Sequence, residues 1–276
     1  MLFSTAGSMG DSIYHTLFML EAQEALNKAI LTKRPLEARD ALSIHLQTNK
    51  KCSYYKEHPY GTVGLTTAAA EFLAPLFEKQ GWPTTVGDEV PYGAFDIDNF
   101  RKLRLNFSCG EIRLWAYNLS AVPLPMNLQR KTLTKYEPDA SFAGKVIVCR
   151  TDRYINAYID YKLLKPLKDE IVFVGLEKEH KSFCDEIFPV DYYKCKDAVD
   201  MLNAMAGAKA VISNPCGPYA LAEQAKLPRC LLTPEFLVIQ EKYIGIGPVN
   251  VIPQGGECWM CGTNSRLEEY VKQIGE

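Results

Sequence analysis

The sequence lacks most of the features that place a protein in a class at once. No apolar run approaches the roughly 20 residues of a membrane-crossing helix, so no helical span is expected. Charge of one sign is missing too: 31 Lys and Arg stand against 33 Asp and Glu, a net charge of −2. That argues against a broad nucleic-acid-binding surface and leaves room only for a local basic patch. The N-terminus has no basic segment, apolar core and small-residue cleavage site in succession, so no secretory signal is expected. There is no internal repeat and no low-complexity tract.

The nine cysteines are an odd count, most of them in apolar contexts, which fits reduced thiols in a cytoplasm better than a disulfide framework. Cys258 and Cys261 have C-x-x-C spacing, but no second pair stands at a zinc-site distance. Two ligands do not close a tetrahedral site, so no metal is expected. A thioredoxin-like pair would follow a first strand at a helix start, not lie near a C-terminal tail.

What is present reads as an ordinary globular chain, 47% hydrophobic and 23% charged, and 276 residues suit two domains. Met1 to Thr5 reads as a short strand and Asp11 to Ile30 as a helix, with Ile13, Leu17 and Leu20 at helical spacing. Residues 41 to 48 read as a strand, and 65 to 81 as a helix ended by Gly81 and kinked at Pro75. Residues 96 to 119 alternate by twos and suggest one or two further strands. From Ser120 to Gly144 the periodicity fades into prolines and charges, the expected crossing between domains.

The second half is more regular. Residues 145 to 150, 169 to 176, 189 to 195, 209 to 214 and 229 to 233 read as strands, with helices over 197 to 208 and 217 to 227. Such alternation predicts a doubly wound parallel sheet. A last amphipathic helix, 265 to 276 with Ser265 as its N-cap, is expected to pack back on the N-terminal domain. The expected organisation is an acceptor-side α/β domain over 1 to 130 and a second α/β domain over 144 to 255, facing a cleft.

The cleft's chemistry begins at "STAGSMGDSIYHTL", residues 4 to 17. Gly7 and Gly10 let a ligand approach the main chain, and the amides that follow suit anions. Asp11 in the first turn has two readings, a carboxylate that caps the helix and one that works on a ligand. The loop is neither a dinucleotide fingerprint nor a P-loop.

The string "SMGDSIYHTLFMLEAQEAL" resembles the N-terminal motif of glycosyltransferase family nine, the lipopolysaccharide heptosyltransferases. The step between its aspartate and histidine is one residue longer here, and Phe18 replaces a proline. The resemblance implies the two-domain GT-B fold and makes Asp11 the base that activates an acceptor hydroxyl. A sugar hydroxyl is a poor nucleophile near neutral pH, so a carboxylate must take its proton during attack. Gly7, Ser8, Gly10 and His15 become the acceptor-side loop.

In a GT-B enzyme the C-terminal domain holds a nucleoside-diphosphate sugar beyond the carboxyl ends of its strands. Arg150 and Arg153 follow the first such strand and suit a diphosphate leaving group, the other reading being a surface pair bridged to Asp152 or Asp160. Gly175, Glu177 and Glu179 follow the second and suit ribose or base, or form a solvated helix face. "NPCG", with Asn214, Cys216 and Gly217, then precedes a small-residue helix whose first amides suit a phosphate. Glu223 further along contacts ligand or faces solvent.

The bacterial heptosyltransferases carry Asp-Thr-Gly and a histidine in this segment, where this chain has Asn214, Pro215, Cys216 and Tyr219. The donor sugar is therefore left open.

Expected, then, is a metal-independent, inverting glycosyltransferase of the cytoplasm, with no cofactor beyond its nucleotide-sugar donor. A catalytically inactive nucleotide- or glycan-binding protein of the same fold is the rival. Transfer onto modified nucleic-acid bases is a variant, for which the Lys- and Tyr-rich residues 49 to 61 are the candidate surface. The acceptor and the oligomeric state are open.

Overall fold

The computed structural model describes residues 1–31, 42–51, 63–102, 116–119, 129–152, 155–232 and 257–276. The apolar runs of the first half become four strands, β1 (Leu2–Thr5), β2 (Ser43–Gln47), β3 (Thr84–Gly87) and β4 (Phe95–Asp96). Between them lie α1 (Met9–Tyr14) and α2 (Thr16–Leu31), then α3 (Thr67–Gln80). These four strands pair in parallel, in the order β3-β2-β1-β4, with Phe3 opposite both Ile44 and Phe95. The chain thus winds outward from β1 and then crosses to its other side, so the loops after β1 and β4 meet at a reversal of strand order.

The second half repeats the device on a larger scale. Its strands are β5 (Val146–Cys149), β6 (Ile171–Val174), β7 (Asp191–Tyr193), β8 (Ala210–Ser213), β9 (Arg229–Leu232) and β10 (Cys258–Cys261). Its helices are α4 (Glu177–Glu186), α5 (Ala198–Gly207), α6 (Gly217–Ala225) and α7 (Asn264–Gly275), with a 3-10 turn at Tyr161–Leu167. The parallel order β10-β9-β8-β5-β6-β7 is doubly wound and reverses between β5 and β8. Every residue of β5, β6, β8 and β9 is buried, as a parallel sheet covered on both faces requires. The α/β class with two parallel sheets is that expected from the sequence.

Local chemistry sets the element ends. Ser8 caps α1, Thr66 caps α3, and Asp197 accepts from the amides of Val199 and Asp200 at 2.8 Å to cap α5. Gly81 ends α3 at φ 97°, where a side chain would be strained, and Pro75 lies inside the helix. The single expected helix from Asp11 divides at His15, where the Thr16 hydroxyl donates to the Ile13 carbonyl at 2.7 Å.

Four expectations are corrected. Residues 97–102 form a 3-10 turn, not a strand, because the Asp96 carboxylate takes the Asp98 amide at 3.0 Å and turns the chain. The N-cap of α7 is Thr263, not Ser265. Among the described residues that helix buries Leu267, Tyr270 and Val271 in the second half's core with Leu164 and Leu167, not against the first half. Finally, residues 258–261 are a strand, which the C-x-x-C reading overlooked. Residues 103–115, the first part of the crossing at 120–128, and 52–61 of the Lys- and Tyr-rich stretch lie outside the described residues.

One apolar cluster runs through both halves, joining Phe3, Leu46 and Phe77 to Val174, Leu202 and Leu221. A polar strap reinforces it. The amides of Thr132 and Leu133 donate to the Gln224 carbonyl at 2.9 and 3.2 Å, and the Thr132 hydroxyl also contacts Thr16 and Gln224. No described helix is long and apolar enough to cross a membrane.

Candidate active site

The glycine loop sits where the first sheet reverses its strand order. Asp98, just past β4, reaches across the reversal, and its Oδ2 accepts from the Thr5 hydroxyl at 2.8 Å and the amides of Ala6 and Gly7 at 2.6 and 3.0 Å. The carboxylate is buried, and three donors answer its charge. Gly7 has no room for a side chain: a Cβ there would lie 2.8 Å from that of Asp11 and 3.1 Å from Asp98 Oδ1. His15 is buried behind the loop, its Nδ1 3.3 Å from the Thr5 hydroxyl and its ring edge-on to Phe100.

Asp11 and Ser8 form a reciprocal capping box. The Ser8 amide donates to Asp11 Oδ2 at 3.1 Å, and the Asp11 amide to Ser8 Oγ at 3.5 Å. Asp11 is partly exposed, so its carboxylate serves the cap while remaining within reach of solvent.

The second sheet reverses between β5 and β8, and there the loops carrying Arg150 and Asn214 lie side by side. Asn214 Oδ1 accepts from the Thr151 amide at 2.9 Å while its Nδ2 donates to the Thr151 carbonyl at 2.8 Å. The side chain thus extends the β5–β8 pairing beyond the strands and fixes the segment that bears Arg150. Arg150 is 5% exposed, packs its guanidinium 5.2 Å from the Tyr161 ring centroid, and bridges Glu186 through Nη2. Among the described residues its Nε and Nη1 have no hydrogen-bond partner. A buried cation with two donors unanswered is costly, and an anion is what would answer them.

Between the halves is a cavity of about 640 Å³, the size of a small-molecule site. Ser8, Met9 and Gly10 line it from the first sheet's loop, with Thr66, Ala69 and Phe72 from the start of α3. Opposite stand Arg150 and Thr151, Gly175 to Glu177 with Glu179, and Pro215 to Pro218 at the start of α6. The halves touch at its floor, where α1 crosses α6: a Cβ at Gly217 would lie 2.8 Å from Met9 Sδ.

Of the residues singled out in the sequence, Ser8, Gly10, Arg150, Gly175, Glu177, Glu179, Cys216 and Gly217 line this cavity. Asp11, Gly7, His15 and Asn214 are not part of its lining: Asp11 is partly exposed and bonded to the lining residue Ser8, while Gly7, His15 and Asn214 are buried. Glu179 is buried and spends Oε2 on the Leu176 amide at 3.2 Å, while Glu177 is exposed. Glu223 neither faces solvent nor lines the cavity. It is fully buried, accepting from Arg229 Nε at 2.6 Å and Lys226 Nζ at 3.0 Å. Arg153 lies outside the described residues.

The sequence reading missed Asp98, whose stretch looked like a strand. It also missed Lys194 and Cys195, which bring a cation and a thiol to the cavity from the end of β7, beside Tyr192, one of the tyrosines the sequence offers either for stacking on a base or sugar or for packing. Burial pushes the Cys195 thiol up to about 12, so it is protonated at neutral pH. Position just past a parallel strand was the available signal for Lys194 and Cys195.

No protein-family model matches the sequence, and no curated protein matches it at a significant level. Solved structures do match. A glycosyl transferase family 9 protein from Veillonella parvula DSM 2008 superposes over 100% of this chain and 91% of its own, with a TM-score of 0.50 at 11% identity. The E. coli ADP-heptose lps heptosyltransferase II covers 99% of this chain and 98% of its own, with a TM-score of 0.49 at 13% identity. The E. coli heptosyltransferase WaaC with ADP covers 99% of each chain, with a TM-score of 0.48 at 13% identity. Over its whole length, this chain has the fold of the Veillonella glycosyl transferase family 9 protein.

Proposed function

We propose that this protein is a metal-independent, inverting glycosyltransferase that moves a sugar from a nucleoside-diphosphate sugar to an acceptor hydroxyl. The observation that carries the reading is Arg150, buried on the cavity with two guanidinium nitrogens unanswered among the described residues, beside the start of α6. The donor diphosphate lies there, its charge met by Arg150, by the first amides of α6 and by Lys194. Glu177 takes hydroxyls of the ribose.

The acceptor enters from the side of Ser8, Gly10 and Thr66. Its hydroxyl oxygen attacks the anomeric carbon as the bond to the diphosphate oxygen breaks. Asp11 takes the proton, and the configuration at that carbon inverts. Because the guanidinium and the amides carry the leaving group's charge, no metal ion is needed. The two E. coli structural neighbours are heptosyltransferases, one of them with ADP, which is compatible with a nucleotide-linked donor here.

A thermal-shift screen against ADP, UDP, GDP, CDP and TDP with their common sugar conjugates tests the donor half of the reading. One nucleotide family should raise the melting temperature, and the absence of any shift would remove the donor site. With that donor, Asp11→Asn should abolish transfer while binding persists. The rival reading, a binding protein without turnover, draws on the commitment of Asp11 to the Ser8 cap. It expects binding in both proteins and transfer in neither.

A further inference from the structure

The C-x-x-C spacing at Cys258 and Cys261 resolves differently once the segment is a strand. Side chains three apart on a strand point to opposite faces, so these two thiols cannot meet. Cys258 shares a face with Met260, which is 51% exposed, while Cys261 is completely buried with Leu267 and Tyr270. Its partner is on the neighbouring strand. In the parallel pairing of β10 with β9, Trp259 lies opposite Cys230 and Cys261 opposite Leu232, which puts Cys230 and Cys261 diagonally on one face. Their sulfurs are 3.1 Å apart, both thiols are free, and both are completely buried.

A disulfide bond is about 2.05 Å long, so the sulfurs need to close by roughly 1 Å to bond. The two thiols are also differentiated. The Cys230 thiol donates toward the Cys261 sulfur, and together with the nearby Arg266 charge this lowers the Cys261 thiol below its ordinary value. Burial raises that of Cys230. Cys261 is thus the nucleophile and Cys230 the thiol that resolves it. Access is through the margin of the sheet, since among the described residues β10 is its terminal strand and an edge opens at lower cost than a centre.

We propose that Cys230 and Cys261 are an oxidation site, a dithiol that a small hydroperoxide converts to an interstrand disulfide joining β10 and α7 to the body of the second sheet. The Cys261 thiolate attacks the peroxide oxygen, the O–O bond breaks, and the alcohol or water leaves with a proton while Cys261 becomes a sulfenic acid. The Cys230 sulfur then attacks the Cys261 sulfur, the S–O bond breaks, and the hydroxyl departs as water with the Cys230 proton. Two thiols and one hydroperoxide give one disulfide, one alcohol or water, and one further water. The site is separate from the cavity and does not depend on the proposed transferase activity.

The test treats the full chain with hydrogen peroxide, blocks remaining thiols in denaturant and maps the peptides without reduction. Expected is one crosslink between the peptides of Cys230 and Cys261, reversed by dithiothreitol, with the melting temperature raised by several degrees in the oxidised protein. Cys258→Ser, altering a partly exposed residue, should leave the crosslink intact. In Cys230→Ala, oxidation of Cys261 should stop at a sulfenic acid that dimedone traps. A crosslink from Cys261 to Cys258, loss of the bridge in Cys258→Ser, or full alkylation of both thiols after exhaustive peroxide would overturn the proposal.

Discussion

Asp98 accepts the amide hydrogen of Gly7 at 3.0 Å across ninety-one residues of sequence, and this bond is why the glycine loop has one shape. The carboxylate comes from the 3-10 turn just past β4, where the first sheet reverses order, so the topology itself delivers it to the loop. With Ala6 and Thr5 answering the same oxygen, the backbone leading into Ser8 and Asp11 is held from beneath. The Asp11 carboxylate then presents itself from a fixed frame.

Replacing Asp98 by Asn keeps the shape and removes the charge. Charge-assisted bonds are worth more than neutral ones, so the fold should lose about 2 kcal/mol. Hydrogen exchange at Ala6 and Gly7 should quicken far more than at amides of the second sheet, and nucleotide affinity should not change. Unchanged protection at Ala6 and Gly7 would refute the loop-holding role.

Gly217→Ala tests the crossing of α1 and α6. The new methyl lies 2.8 Å from Met9 Sδ, and overpacking of this kind costs about 1–3 kcal/mol. Denaturant titration should show that loss, and Met9→Ala in the same chain should recover part of it. If the two substitutions simply add, the close approach is not what constrains this glycine.

How much of this was legible in the sequence follows from what each residue's partners are. Strands such as Val146–Cys149 and Ala210–Ser213 announce themselves because burial on both faces demands an unbroken apolar run. Ser8, Arg150 and Gly217 were legible because loops after parallel strands line clefts. Asp98 was not, since its alternating neighbours imitate a strand and its three donors lie far off in the chain. Glu223 was misread for a similar reason, because nothing local tells that Arg229 folds inward to meet it. The pairing of Cys261 with Cys230 needed the strand register, which a C-x-x-C spacing conceals.

Asn214 offers a sharper test of the second sheet's reversal. Asn214→Ala breaks both bonds to the Thr151 backbone and leaves that amide and carbonyl unanswered, a cost of about 2 kcal/mol. Asn214→Asp keeps the acceptor but sets an oxygen against the Thr151 carbonyl. Calorimetric titration should find nucleotide binding weakened in both variants, because the segment carrying Arg150 loses its tether. Wild-type affinity in both would separate Asn214 from the site.

His45 makes part of the stability depend on pH. Its Nε2 faces the Gly87 carbonyl at 3.2 Å and so carries the hydrogen, while Nδ1 accepts from the Thr85 hydroxyl at 2.9 Å. Burial holds its pKa below the ordinary 6.5, with the Gly87 bond opposing. Below pH 6.5 the unfolded chain takes up a proton that the folded one refuses, so this contribution is present above 6.5 and is lost as pH falls toward the folded value. The fall in melting temperature between about pH 7.5 and about pH 5.5 should therefore be smaller in His45→Gln than in the wild type. An equal fall in both would assign the pH dependence elsewhere.

The central claim is that an anion belongs against Arg150 at the start of α6. The most direct measurement is isothermal titration of the wild type, Arg150→Ala and Glu186→Gln with the nucleoside diphosphate that the thermal screen selects. The account requires Arg150→Ala to lose at least about tenfold in affinity, the scale of one charge-assisted contact. Glu186→Gln, which removes only the outer partner of Nη2, should bind as the wild type does. Equal affinity in Arg150→Ala and wild type would contradict the claim.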